Sequence, residues 1–100
     1  MRISEQQRQL AVARLRECFG PDSVIWLFGS RVEDRRRGGD VDLYVEAEQE
    51  PDAGRLTAEM AVAIDLEDLF EGVSVDLLVR YPGDAERPIH RIAKQRGLLL

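Results

Sequence analysis

Apolar and polar positions change period along this chain, and the changes mark its elements. Ser4 stands three residues ahead of Gln7, the spacing of a reciprocal helix N-cap in which each side chain reaches the other's orphan backbone N–H. Leu10, Ala13 (or its neighbour Val12) and Leu15 then recur near helical spacing, with Cys18 and Phe19 closing the buried face and Gly20-Pro21 ending the run. Val24-Ile25-Trp26-Leu27-Phe28 is an unbroken apolar run of β-favouring residues, which suits a strand covered on both faces. Residues 31 to 39 are polar and basic and end in Gly38-Gly39. From Asp40 to Glu46 the period becomes two, with Val41, Leu43 and Val45 on one side and Asp40, Asp42 and Tyr44 on the other. After a loop containing Pro51, the residues Leu56, Met60, Ala63, Ile64 and Phe70 predict the buried stripe of a second helix, with Gly72 at its C′ position. Val73, Val75, Leu77 and Val79 alternate with Ser74, Asp76 and Leu78 as a third strand. Tyr81-Pro82-Gly83 is a turn, Pro88 opens a last helix that ends at Gly97, and Leu98 to Leu100 add a short edge strand or pack on the core.

This order predicts an α+β domain: a small mixed β-sheet of three to four strands with helices packed mainly on one face. One hundred residues make a single domain, 1–100, with a thin core. Hydrophobic residues at 44% and charged residues at 33% are globular proportions. A net charge of −5 argues against a general duplex DNA-binding surface and suits recruitment of cations. Cys18 is the single cysteine, which excludes an internal disulfide and fits a reducing compartment. No apolar run is long enough to span a membrane, and the first residues lack a signal-peptide core, so a cytoplasmic location is expected.

Three features carry chemistry. Gly29-Ser30 follows a strand directly, where glycine admits close approach of a ligand and exposed N–H groups with a hydroxyl bind phosphate oxygens; alone, it reads equally as a turn. Asp40 and Asp42 project from one face of one strand, close enough to share a hard divalent cation such as Mg²⁺, although an exposed sheet edge explains the pair as well. Asp76 opposes the apolar side of its own strand. If the two strands are neighbours over one core, it emerges beside Asp40 and Asp42, and three carboxylates can hold two metal ions, with Asp76 as general base or second-metal ligand.

Phe28-Gly29-Ser30-Arg31 followed by Gly39-Asp40-Val41-Asp42-Leu43 resembles the signature of the DNA polymerase β-like nucleotidyltransferases. More closely, the chain resembles the minimal nucleotidyltransferases (MNT domains), which in prokaryotes are often encoded beside a HEPN-domain partner. The likeness runs from the leading helix through Val73-Ser74-Val75-Asp76-Leu77 to the Pro88-Ile89…Gly97 ending. It implies a palm-like nucleotidyltransferase fold, with Gly29 and Ser30 on the triphosphate and Arg31 as a further phosphate ligand. It also implies Asp40, Asp42 and Asp76 on Mg²⁺, with ATP as substrate. The acceptor it implies is a tyrosine of a HEPN toxin, which makes this chain the antitoxin. Nine residues, 31 to 39, separate Ser30 from Asp40, one fewer than the family pattern, a deletion that a glycine-containing loop absorbs.

Other residues read more plainly. Arg35-Arg36-Arg37 is a solvated loop ahead of a nucleotide- or partner-binding run. Trp26 is core, Cys18 packs, and His90 is a surface or partly buried histidine without a visible partner. Asp65, Glu67 and Asp68 form a solvated helix face, and Tyr44 either lines the nucleotide pocket or is a half-exposed strand residue. Two further functions compete with the leading reading: a non-catalytic subunit that neutralises a partner by direct contact, and transfer to a small molecule such as an aminoglycoside. The second ranks last, because proteins of that kind carry an additional helical domain. A homodimer or a partner chain is expected under either leading reading, since 100 residues leave little room for an acceptor-binding domain.

Overall fold

A computed structural model describes residues 3–29 and 41–100 of the chain. In chain order these form α1 (Glu5–Phe19), β1 (Val24–Phe28), β2 (Val41–Glu46), α2 (Arg55–Leu69), β3 (Val75–Arg80), α3 (Pro88–Arg96) and β4 (Leu98–Leu99). Ser30, Arg31, the Arg35-Arg36-Arg37 run and Asp40 lie outside the described residues.

α1 begins as its sequence predicts. Ser4 Oγ accepts the Gln7 N–H at 3.0 Å, and Gln7 Oε1 accepts the Ser4 N–H at 2.9 Å. The strands make one mixed sheet in the order β3-β2-β1-β4. β1 is antiparallel to β2 and to β4, while β2 and β3 run parallel. Parallel neighbours need a crossover, and α2 supplies it.

Ile25, Leu27, Val41, Leu43, Val45 and Val75 cover one face of this sheet. Against them pack Ala11, Val12, Leu15 and Phe19 of α1, then Ala58, Val62 and Leu66 of α2 with Phe70 beyond it. The opposite face carries Trp26, Asp42, Tyr44, Glu46, Asp76 and Arg80, as the period of two requires. α3 lies over part of that second face, with His90 and Ala93 buried. Among the described residues no helix is long and apolar enough to cross a membrane.

The structure corrects several details. In α1, Leu10 is exposed and Ala13 faces solvent, so the buried row is Ala11, Val12, Leu15 and Phe19. In α2 part of the expected stripe is turned outward: Phe70 is buried and Ala63 half-buried, but Leu56, Met60 and Ile64 are exposed, while Ala58, Val62 and Leu66 are buried. Both rows have helical spacing, so periodicity alone cannot choose between them; the small residues Ala58 and Val62 let the helix lie close on the sheet. β1 is covered fully on one face only, because Val24, Trp26 and Phe28 are half-buried. After α2 the left-handed backbone begins at Glu71 (φ 61°) and continues at Gly72 (φ 90°), with the Glu71 N–H donating to the Asp68 carbonyl and the Gly72 N–H to the Glu67 carbonyl. That is a Schellman ending with Glu71, not Gly72, at C′.

Candidate active site

The sheet brings Asp42 and Asp76 together by register. In the parallel β2–β3 pair Asp42 is directly opposite Asp76, and in the antiparallel β1–β2 pair Asp42 is opposite Phe28. Adjacent strands lie ~4.8 Å apart, so the two carboxylates leave the same face from neighbouring positions. Asp42 is half-buried and Asp76 exposed.

Gly29 follows β1 at the same end of the sheet. Its φ of +80° is in the left-handed region, and a Cβ built on it would fall 2.3 Å from Asp42 Oδ2 and 3.0 Å from Asp42 Cγ. The Asp42 carboxylate therefore rests on bare glycine backbone, and a side chain at position 29 would displace it. Gly29, Asp42 and Asp76 thus converge from three elements, although they are separated widely in sequence.

Two carboxylates side by side repel unless a cation or solvent compensates. Among the described residues no cation pairs with Asp76. The other end of the same face is arranged differently. Glu46, two pleats along β2 from Asp42, is met by Lys94 Nζ at 3.1 Å and Arg80 Nη1 at 3.5 Å, and it accepts the Tyr44 hydroxyl at 2.9 Å. Lys94 also pairs with Glu86; these two bonds hold its ammonium above the usual range, and Lys94 in turn holds Glu86 low. Negative charge is thus matched by cations at the Glu46 end. All-oxygen donors such as Asp42 and Asp76 suit a hard divalent cation. Among the described residues no group of three or more such ligands forms, Asp40 being outside them.

Between the two ends lies an aromatic stack. Tyr44 is fully buried, with Trp26 stacked on it at a 5.4 Å centroid distance and His90 at 5.3 Å. Burial, then the bond to Glu46, pushes the Tyr44 phenol well above its usual range. Tyr44 is therefore neither half-exposed nor open to a nucleotide, and Trp26 belongs to this stack instead of the main core. His90 likewise is buried, at 3% exposure, and has a partner. Its Nδ1 accepts the Arg87 N–H at 3.0 Å, capping α3 from the third helical position, while the buried Nε2 has no hydrogen-bond partner among the described residues. Pro88 at the first helical position was the available signal: it places His90 within reach of that backbone N–H. Beside His90 a cavity of about 250 Å³ is lined by Val79, Asp84, Ala85 and Arg87.

No curated protein matches the chain. A family model described as the nucleotidyltransferase domain matches residues 10–99. That span takes in all four strands and all or part of each helix. The chain therefore belongs to the nucleotidyltransferase domain family, and its activity is the transfer of a nucleotidyl group.

Proposed function

We propose that this nucleotidyltransferase moves AMP from ATP, with Mg²⁺, onto the hydroxyl of a tyrosine in a HEPN-domain partner, and so acts as an antitoxin. The observation that carries the catalytic part is the register of Asp42 opposite Asp76, with the Asp42 carboxylate seated on Gly29. Nucleotidyltransferase domains generally use a nucleoside triphosphate and a divalent metal, and the carboxylate oxygens on this face suit the metal. Asp42 and Asp76, together with Asp40 from the sequence motif, would hold the cation. When bound, it lowers the charge on the triphosphate and steadies the leaving pyrophosphate.

The chain's own residues do the rest. Gly29, Ser30 and Arg31 bind the triphosphate and orient it along the end of β1. The acceptor oxygen attacks the α-phosphorus, the bond from that phosphorus to the β-phosphate bridging oxygen breaks, and pyrophosphate departs. Asp76, exposed at the rim, receives the proton of the acceptor hydroxyl. The tyrosine acceptor and the HEPN partner rest on the family resemblance.

Incubation with α-labelled ATP and Mg²⁺, with and without the protein encoded by the neighbouring gene, tests this reading. Label on a tyrosine of that neighbour is expected, reduced at least ~100-fold by Asp42→Asn. A tight complex that carries no label, and is unaffected by that substitution, would replace the enzyme with a neutralising subunit.

A further inference from the structure

α2 carries more apolar surface than the sheet can cover. Ala58, Val62 and Leu66 are its inner row. Leu56, Met60 and Ile64 are its outer row, 71%, 57% and 64% exposed. At 100° per residue the two rows lie about 160° apart around the axis, so no rotation of the helix buries both on one sheet. A helix apolar on opposite sides belongs inside protein. The outer row forms a continuous ridge ~12 Å long, the form of an association surface and not of scattered exposed residues.

We propose that this ridge joins two copies of the chain, with their α2 helices antiparallel about a two-fold axis at Met60. Three observations select a second copy. The ridge is self-complementary: Leu56 and Ile64 are equally spaced on either side of Met60, so each Leu56 meets the other chain's Ile64, as an isologous contact requires. Thr57 and Ala63, three residues either side, are small and oppose each other, which allows the axes to approach. Charge fixes the direction. α2 begins at Gly54 with no side-chain cap and no acid in its first turn, and it has no basic residue in its last turn. Glu67, Asp68 and Glu71 gather instead at its C-terminal end. Each end thus lacks the charge that its helix dipole favours. The antiparallel arrangement sets the acidic C-terminal end of each α2, with Glu67 opposite Ala53, against the uncapped N-terminal end of the other; Glu67 Oε2 also accepts the Val75 N–H of its own chain at 3.3 Å. A parallel pair would bring the two acidic ends together.

This inference stands apart from the phosphate chemistry, and sedimentation velocity over a concentration series tests it. The wild-type chain is expected to sediment as a reversible dimer. Met60→Glu is expected to weaken association more than roughly 30-fold with unchanged helical circular dichroism. Leu56→Lys and Ile64→Glu are each expected to be monomeric alone and to dimerise when mixed, because only an antiparallel pair sets the new lysine against the new glutamate. A wild-type chain that stays monomeric up to about 1 mM overturns the proposal. So does a dimer indifferent to Met60→Glu, or a mixture of the two charge variants that does not associate.

Discussion

Gly29 and Gly54 both hold left-handed backbone, at φ +80° and +92°, yet a side chain at each would meet different surroundings. A Cβ at Gly54 has nothing within 4 Å, whereas one at Gly29 strikes the Asp42 carboxylate. Substitution by alanine should cost each position ~1–3 kcal/mol of backbone strain, read from urea midpoints, with the clash against Asp42 added at Gly29 alone. Nucleotidyl transfer should separate them: Gly29→Ala falls ~100-fold through displacement of Asp42, while Gly54→Ala stays near wild type. Equal activities would sink the contact's importance. His90 supplies a second residue-scale test. Burial, with Arg87 and Arg80 adding repulsion against the pull of Glu86 and Glu46, lowers its affinity for a proton. Protonation would also abolish the bond from the Arg87 N–H to Nδ1. The unfolded chain, with an ordinary histidine pKa of about 6.5, thus binds the proton more readily than the fold does. Its contribution to stability is complete above that pH and is lost as the pH falls through the lowered folded value. His90→Phe preserves the stack on Tyr44 and removes the titration. Its urea midpoint should change less than wild type between pH 6.5 and pH 5.

At the scale of elements, α2 shows how a helix is placed by its neighbours. Leu66 is fully buried and Leu56 is mostly exposed, although both lie on apolar helical rows. Leu66→Ala is expected to cost about 2–5 kcal/mol of unfolding free energy, and Leu56→Ala less than about 0.5 kcal/mol in dilute solution where the chains are separate. A reversed order would mean that α2 packs by its other side. The helix's ending makes a finer prediction. Glu71 takes a left-handed conformation (φ 61°) that glycine adopts without a Cβ penalty, and its neighbour Gly72 already uses one. Glu71→Gly should raise stability by ~1 kcal/mol, seen as a higher urea midpoint with an unchanged slope. The carboxylate lost there also relieves charge at a helix C-terminus.

For the whole molecule, the proposed cation links folding to nucleotide. ATP should raise the thermal midpoint in Mg²⁺ and do so far less in chelator, since a ligand stabilises only as far as it binds the folded chain. An equal rise in both conditions would remove the cation from the site. Much of this architecture was legible along the chain: the capping box at Ser4, the strand alternation, the closing helix after Pro88, and the aspartates placed by period two. Those features depend on neighbours within a few residues, where backbone geometry and side-chain spacing act directly. The shared face of Asp42 and Asp76 could be argued only on condition that their strands were neighbours. The parallel register, Asp42 against Asp76, met that condition. Other matters had no local signal. Two apolar rows of equal spacing on α2 left its inward face open, and only the fit of Ala58 and Val62 against the sheet chose it. Tyr44 became buried because His90, forty-six residues later, is carried over it by α3. Sequence by itself thus determined the elements, their order and the residue types that bear the chemistry. Tertiary structure decided which faces are covered and which distant side chains meet, because packing is settled by contacts that periodicity cannot encode.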